Sequence, residues 1–194
     1  DAEFGGDPFD HRRHCVLVVD RGGVGARDAP GGLDRGDRRV GSRCVAPIVD
    51  GDGRADIIIG ASSADGNNTL NSGKAYVYSG ADGSLLYAFE GSVRNDAFGR
   101  SVGAAGDVNG DGLSDVIIGA PFYSGDFANE GRAYVYLGSP AGLEPEPAWT
   151  TEGGQQDAVL GWRANTAGDV NGDGYADVIV GIPNYSNGPF NTAG

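Results

Sequence analysis

The 194-residue sequence contains no methionine, two cysteines, two histidines and, among 14 basic residues, a single lysine, Lys74. It begins with Asp1, so its first residue is expected to fall inside a longer sequence. No apolar run reaches membrane-spanning length, which argues against membrane insertion. The longest early run, residues 16–19, is too short for a signal-peptide core. Cys15 and Cys44 define neither a disulfide framework nor a zinc site. His11 and His14 beside Cys15 are read as solvated loop side chains rather than metal ligands. Both histidines lie far from the ordered pattern described below, so no nucleophilic catalytic set is visible. Basic residues form no stripe, which argues against a nucleic-acid partner.

Glycine and aspartate are what the chain has in quantity. Gly accounts for 36 residues without a collagen period, which marks many turns and an all-β chain of short strands. The net charge of −13 is uneven. Residues 1–47 balance eight arginines against eight acids, and residues 48–194 carry the whole excess in 19 acids against six bases. Part of that excess lies in a loop that recurs: DVNGDGLSD (107–115), DVNGDGYAD (169–177) and a worn copy, IVDGDGRAD (48–56). Each sets oxygen-bearing side chains at alternate positions of a tight turn, with Gly at the sixth position to allow the sharp bend. Such oxygens can converge on one hard cation, and oxygen-only ligation suits calcium. The expected ligands are Asp107, Asn109, Asp111, the Leu113 carbonyl and Asp115, then Asp169, Asn171, Asp173, the Tyr175 carbonyl and Asp177. The worn copy offers Asp50, Asp52, the Arg54 carbonyl and Asp56, but has Ile48 at its first position, so a weaker site is expected there.

An EF-hand begins the same way but needs a bidentate Glu at position 12 and flanking helices. Position 12 here is Ile118, Val180 or Ile59, and the flanks are β-branched apolar runs. The loop therefore belongs between two strands, which also rejects a helical dockerin-type module. Asp52, Asp111 and Asp173 recur at spacings of 59 and 62 residues, and GKAYVYSG (73–80) returns as GRAYVYLG (131–138). Repeats of this length with several short strands each indicate a β-propeller or similar radial array. One repeat reads as four strands, near residues 101–107, 115–120, 132–137 and 149–152, the last matched by 85–90. The apolar run at 116–118 suits a strand covered on both faces. Tyr76, Tyr78, Tyr134 and Tyr136 are expected to pack between blades.

The pattern from Phe98-Gly99 through the Asp loop to Gly119-Ala120-Pro121 resembles the FG-GAP repeat of integrin alpha-subunit propellers and of many bacterial surface proteins. The resemblance covers about residues 49–194 and departs where Leu160 replaces Phe and GIP replaces GAP. It implies that each repeat is one four-stranded antiparallel blade, with the calcium loop joining its first two strands. About three repeats are present, near 48–97, 98–159 and a shortened 160–194, which is an incomplete ring set against the remaining blades of a parent propeller. The third repeat stops at Gly194, aligned with Gly131, so the sequence is expected to be a fragment.

Residues 1–47 form an atypical segment with three competing readings: disordered leader, divergent part-blade, or, the one favoured, residues read out of register with the native gene. Arg35-Gly36-Asp37 spells an adhesion tripeptide, but chance explains it better in a stretch this rich in those residues. The leading functional reading is a calcium-binding, non-catalytic propeller segment of an extracellular or cell-surface protein, serving adhesion or recognition of a protein or glycan ligand. Two alternatives stand beside it. One is the propeller of a secreted polysaccharide-active enzyme, for which Asp126 and Glu130 are the loop acids on offer; the other is a structural spacer.

Overall fold

A computed structural model describes the backbone of Cys15–Val18, residues 52, 54–66 and 69–186 of the chain. Among these the structure is all-β. Strands β1 (Cys15–Val18), β2 (Ile57–Ala61), β3 (Lys74–Tyr78) and β4 (Leu85–Glu90) form one antiparallel sheet in chain order. Strands β5 (Ser101–Gly106), β6 (Asp115–Ala120), β7 (Arg132–Tyr136) and β10 (Trp149–Glu152) form a second, again in chain order. A short hairpin of β8 (Gly138–Ser139) and β9 (Gly142–Leu143) interrupts it after β7. Strands β11 (Ala164–Gly168) and β12 (Asp177–Val180) pair as the start of a third sheet. These are up-and-down blades of the β-propeller type, with strand boundaries within a residue of those expected in the second repeat.

The first sheet holds a departure from the repeat pattern. The partner of β2 on the side away from β3 is Cys15–Val18, paired Cys15↔Ala61 to Val18↔Ile58, which lies 38 residues before it in the chain. The rest of residues 1–47, including the Arg35-Gly36-Asp37 tripeptide, His11, His14 and Cys44, lies outside the described residues, as do Ile48 and Asp50.

The core lies between blades. On β6 the side chains of Val116, Ile118 and Ala120 join Ile58, Ala75, Val77 and Phe89 of the first sheet. Ile117 points the other way, with Ala105 and Val135, toward Ala164, Val178 and Val180 of the third. Every residue of β6 is buried, as a strand sandwiched between two blades requires. Full burial of each such Ile or Val contributes about 1.5–3 kcal/mol. Tyr134 and Tyr136 are buried between blades, Tyr134 edge-on to Phe98 at 5.2 Å and Tyr136 against Phe89 at 4.3 Å between ring centroids. Tyr76 and Tyr78, their counterparts on β3, are half-buried and lie 6.3 Å from each other.

The FG and GAP elements meet across the blade boundary. Phe98, 1% exposed, donates its amide to the Ser72 carbonyl of the preceding blade, and Leu160 does the same to Glu130. Behind them, backbone packs on backbone. A Cβ on Gly60 would stand 2.0 Å from the Gly99 carbonyl oxygen, and one on Gly119 would stand 2.1 Å from that of Gly161. Only glycine lets adjacent blades approach this closely.

Candidate metal centres

The second and third Asp loops are each launched by a β-bulge. The register of β5 against β6 slips between Ala104 and Gly106, and that of β11 against β12 slips between Thr166 and Gly168. Gly106 (φ 84°) and Gly168 (φ 73°) supply the left-handed backbone that turns the strand into the loop, so that the next residue, Asp107 or Asp169, points inward.

In the second loop Asp107 Oδ1 accepts the amides of Gly110 (2.7 Å) and Asp111 (3.0 Å), and its Oδ2 accepts that of Gly112 (2.8 Å). Asn109 Oδ1 also accepts the Asp111 amide at 3.1 Å, and its Nδ2 donates to Asp111 Oδ2 at 2.9 Å. Asp111 Oδ1 accepts the Leu113 amide at 2.8 Å. The third loop repeats this set through Asp169, Asn171, Asp173 and Tyr175, bond for bond, at 2.7–3.1 Å. In the first loop the described part matches: the Arg54 amide donates to Asp52 Oδ1 at 2.7 Å. Two sequences that differ at the seventh and eighth positions thus fold the same turn.

The ninth-position acid is different from the others. Asp115 is 0% exposed; its Oδ2 accepts the Val108 amide at 2.7 Å and its Oδ1 the Gly138 amide at 2.8 Å. It ties the loop's start to the corner where β7 ends. Asp56 makes the same tie to Gly80 at 3.1 Å, and Asp177 accepts the Val170 amide at 2.8 Å. Glycine at the corner is a steric need: a Cβ on Gly138 would stand 2.5 Å from the Ser114 carbonyl oxygen, and one on Gly80 would stand 1.6 Å from that of Ala55. Burial pushes the Asp115 carboxyl above its ordinary value; the two amides oppose this, and the charges of Asp111 and Asp107 push it further up. Asp107 and Asp111 are therefore close enough for their charges to act on Asp115.

The donor set is all oxygen, three carboxylates and one amide with a carbonyl at the seventh position, which suits a hard divalent cation. Among the described residues no three acidic, His or Cys side chains are drawn in to the spacing of a bound ion. Their oxygens cap loop amides instead. Each carboxylate oxygen has two lone pairs, so those that accept a single amide, such as Oδ2 of Asp107 and Asp169, keep one for an ion. The donor chemistry fits; the convergence around an ion would come with the ion.

The acids offered for sugar chemistry separate. Glu130 is buried, and its Oε1 accepts the amides of Gly125 (3.0 Å) and Phe127 (3.3 Å), while Asp126 is exposed. Glu130 is thus not a solvated loop acid but the internal brace of its own loop. Another buried acid, Asp96, gave no signal in the sequence. Its carboxylate accepts the amides of Phe98 (3.1 Å) and Val93 (3.3 Å) at the entry to β5. Burial pushes its pKa up to about 6, against those same amides.

Fold and loops together define a repeat protein of the propeller class whose blades carry Asp-rich loops between their first two strands. Comparison with known sequences narrows this. The FG-GAP repeat profile matches residues 49–78, 98–136 and 161–194, more than half the chain, and the chain belongs to that family. Curated relatives include integrin alpha-PS2 of Drosophila melanogaster, 35% identical over 154 residues, which covers 76% of this chain and 11% of that protein. Integrin alpha-5 of Xenopus laevis is 32% identical over 148 residues, covering 70% of this chain and 14% of that protein. Integrin alpha-PS3 of Drosophila melanogaster is 28% identical over 156 residues, covering 74% and 13%. The chain spans only a small part of the length of these relatives.

Proposed function

We propose that this chain is a calcium-binding, non-catalytic propeller segment of an extracellular or cell-surface protein, used in adhesion or recognition of a protein or glycan ligand. The repeat boundaries near 48–97, 98–159 and 160–194 are those of its blades, and further blades of a parent propeller are its structural partners. The observation that carries the reading is the bond-for-bond identity of the second and third loops. Each holds three carboxylates and an amide around one turn, a charge and donor set that a cation would complete. The ligands are Asp107, Asn109, Asp111, the Leu113 carbonyl and Asp115, and their counterparts Asp169, Asn171, Asp173, the Tyr175 carbonyl and Asp177. Calcium that binds only the folded state stabilises it, and at a hundredfold excess over its dissociation constant one site contributes about 2.7 kcal/mol. Extracellular calcium is abundant enough for weak sites to be filled. The kinship with integrin alpha subunits supports adhesion and a surface location. Thermal unfolding in millimolar calcium, millimolar magnesium and chelator tests the metal reading. A melting temperature raised by calcium above both other conditions supports it, and three coincident melts contradict it.

A further inference from the structure

The second and third loops touch. The Ala176 amide donates to the Asp107 carbonyl at 2.8 Å, joining the eighth position of one loop to the first of the other. The Tyr175 ring lies over Gly110, the fourth position of the second loop. A Cβ there would stand 2.4 Å from Tyr175 Cε1, and Gly110 has a φ of 77°. Gly106, beside Asp107, leaves room for the Ala176 side chain, whose Cβ would stand 2.6 Å from a Cβ on it. Two residues with proposed ligand roles are thus points of contact: Tyr175, whose carbonyl is the ligand, touches with its ring, and Asp107, whose carboxylate is the ligand, accepts with its backbone carbonyl.

One peptide unit links them. The Tyr175 carbonyl, which would face the ion of the third loop, and the Ala176 N–H, which bonds to Asp107, are the two ends of the same peptide group. A cation on the carbonyl withdraws electron density from the N–H and makes it a stronger donor, so the two interactions reinforce each other. In the other direction, an ion that orders Asp107 fixes the carbonyl that positions this peptide, and with it the seventh ligand of the third loop. We infer that the second and third loops bind calcium cooperatively, through the Tyr175–Ala176 peptide and the Tyr175 ring. The inference rests on the calcium reading above and adds a coupling between sites. Coupling between sites must be reciprocal, and factors of 5 upward are typical. A single hydrogen bond and ring contact belong at the low end, about fivefold.

The test uses the full chain titrated with calcium alone, with amide resonances of Gly112 and Gly174 reporting the two loops separately. These amides bond to Asp107 Oδ2 and Asp169 Oδ2, so each senses its own loop. Asp111→Ala, which empties the second loop, is expected to weaken calcium binding at Gly174 about fivefold, and Asp173→Ala to weaken it at Gly112 by the same factor. Whatever Tyr175→Ala does to the third loop's own affinity, the ratio measured with and without Asp111→Ala should fall toward one, and Tyr175→Phe should keep it. A ratio of one in the Tyr175 protein overturns the coupling, and an undiminished ratio in Tyr175→Ala overturns the part assigned to the ring. An absence of calcium-dependent shifts at both glycines overturns the calcium reading itself, and the coupling with it.

Discussion

Replacing Asp115 by Asn keeps shape and volume but removes one of two acceptors. At present Oδ1 takes the Gly138 amide in a buried bond and Oδ2 the Val108 amide in a part-buried one, with Asp115 itself fully buried. An Asn oxygen can serve only one of them, and its NH₂ then faces the other N–H. A buried donor left without an acceptor costs about 1–3 kcal/mol. At roughly 2–4 °C per kcal/mol for a chain of this size, a cost of about 2 kcal/mol lowers the melting temperature by roughly 4–8 °C. The loss should be present in chelator, because the tie exists without an ion. Asp111→Ala provides the contrast. Asp111 is exposed and holds only the Leu113 amide and the Asn109 side chain, bonds worth about 0.5–1 kcal/mol at an exposed site. Its effect should be small in chelator and grow by the whole metal-linkage contribution of the loop in saturating calcium. Thermal unfolding of both variants, in chelator and in millimolar calcium, reads the two effects. If Asp115→Asn melts with the parent protein in chelator, the buried tie to Gly138 does not hold the loop to the blade, and the reasoning fails.

Other consequences can be checked alongside. Gly119→Ala drives a Cβ to 2.1 Å from the Gly161 carbonyl and should cost about 1–3 kcal/mol in denaturant unfolding as two blades part, while Gly112→Ala, with open space around its Cβ but a φ of 86°, should cost less. Asp96 holds its proton more tightly folded than unfolded, so its contribution is fullest below its ordinary value of 3.8 and is lost as pH rises through about 6. Asp96→Asn should flatten the stability-against-pH profile between those values, by up to about 3 kcal/mol relative to the parent; parallel profiles would show that Asp96 does not titrate there. Asp52→Ala should lose less calcium-dependent stability than Asp173→Ala, because Ile48 supplies no oxygen at the first position of its loop; equal losses would make the first loop a full site.

The sequence showed much of the architecture because the repeat is written in steric terms. The run Val116-Ile117-Ile118 has no polar face, so it must be covered on both sides, and it is. The bulge glycines, loop glycines and corner glycines recur at fixed offsets because each answers a backbone need that no other residue meets. Three things stayed hidden. Cys15–Val18 pairs with β2 across 38 intervening residues, and a four-residue apolar run at no repeat spacing gives no hint of that. Asp115 reads as one more loop acid, yet its second partner, Gly138, is 23 residues away and belongs to a different corner. Asp96 and Glu130 sit in polar loop sequences where acids are normally solvated. Their burial comes from how each loop folds back on its own amides, and the third repeat has Ala158 where Asp96 would be aligned.

Calcium stoichiometry, measured by equilibrium dialysis or titration calorimetry on the 194-residue chain, tests the central claim most directly. The loops as built predict two ions held at the second and third loops, with the first loop binding about tenfold more weakly for want of one ligand. The two should be lost one at a time in Asp111→Ala and Asp173→Ala. A chain that takes up no calcium at millimolar concentration, or takes it up undiminished when both of these aspartates are replaced, would contradict the assignment of the loops as metal centres.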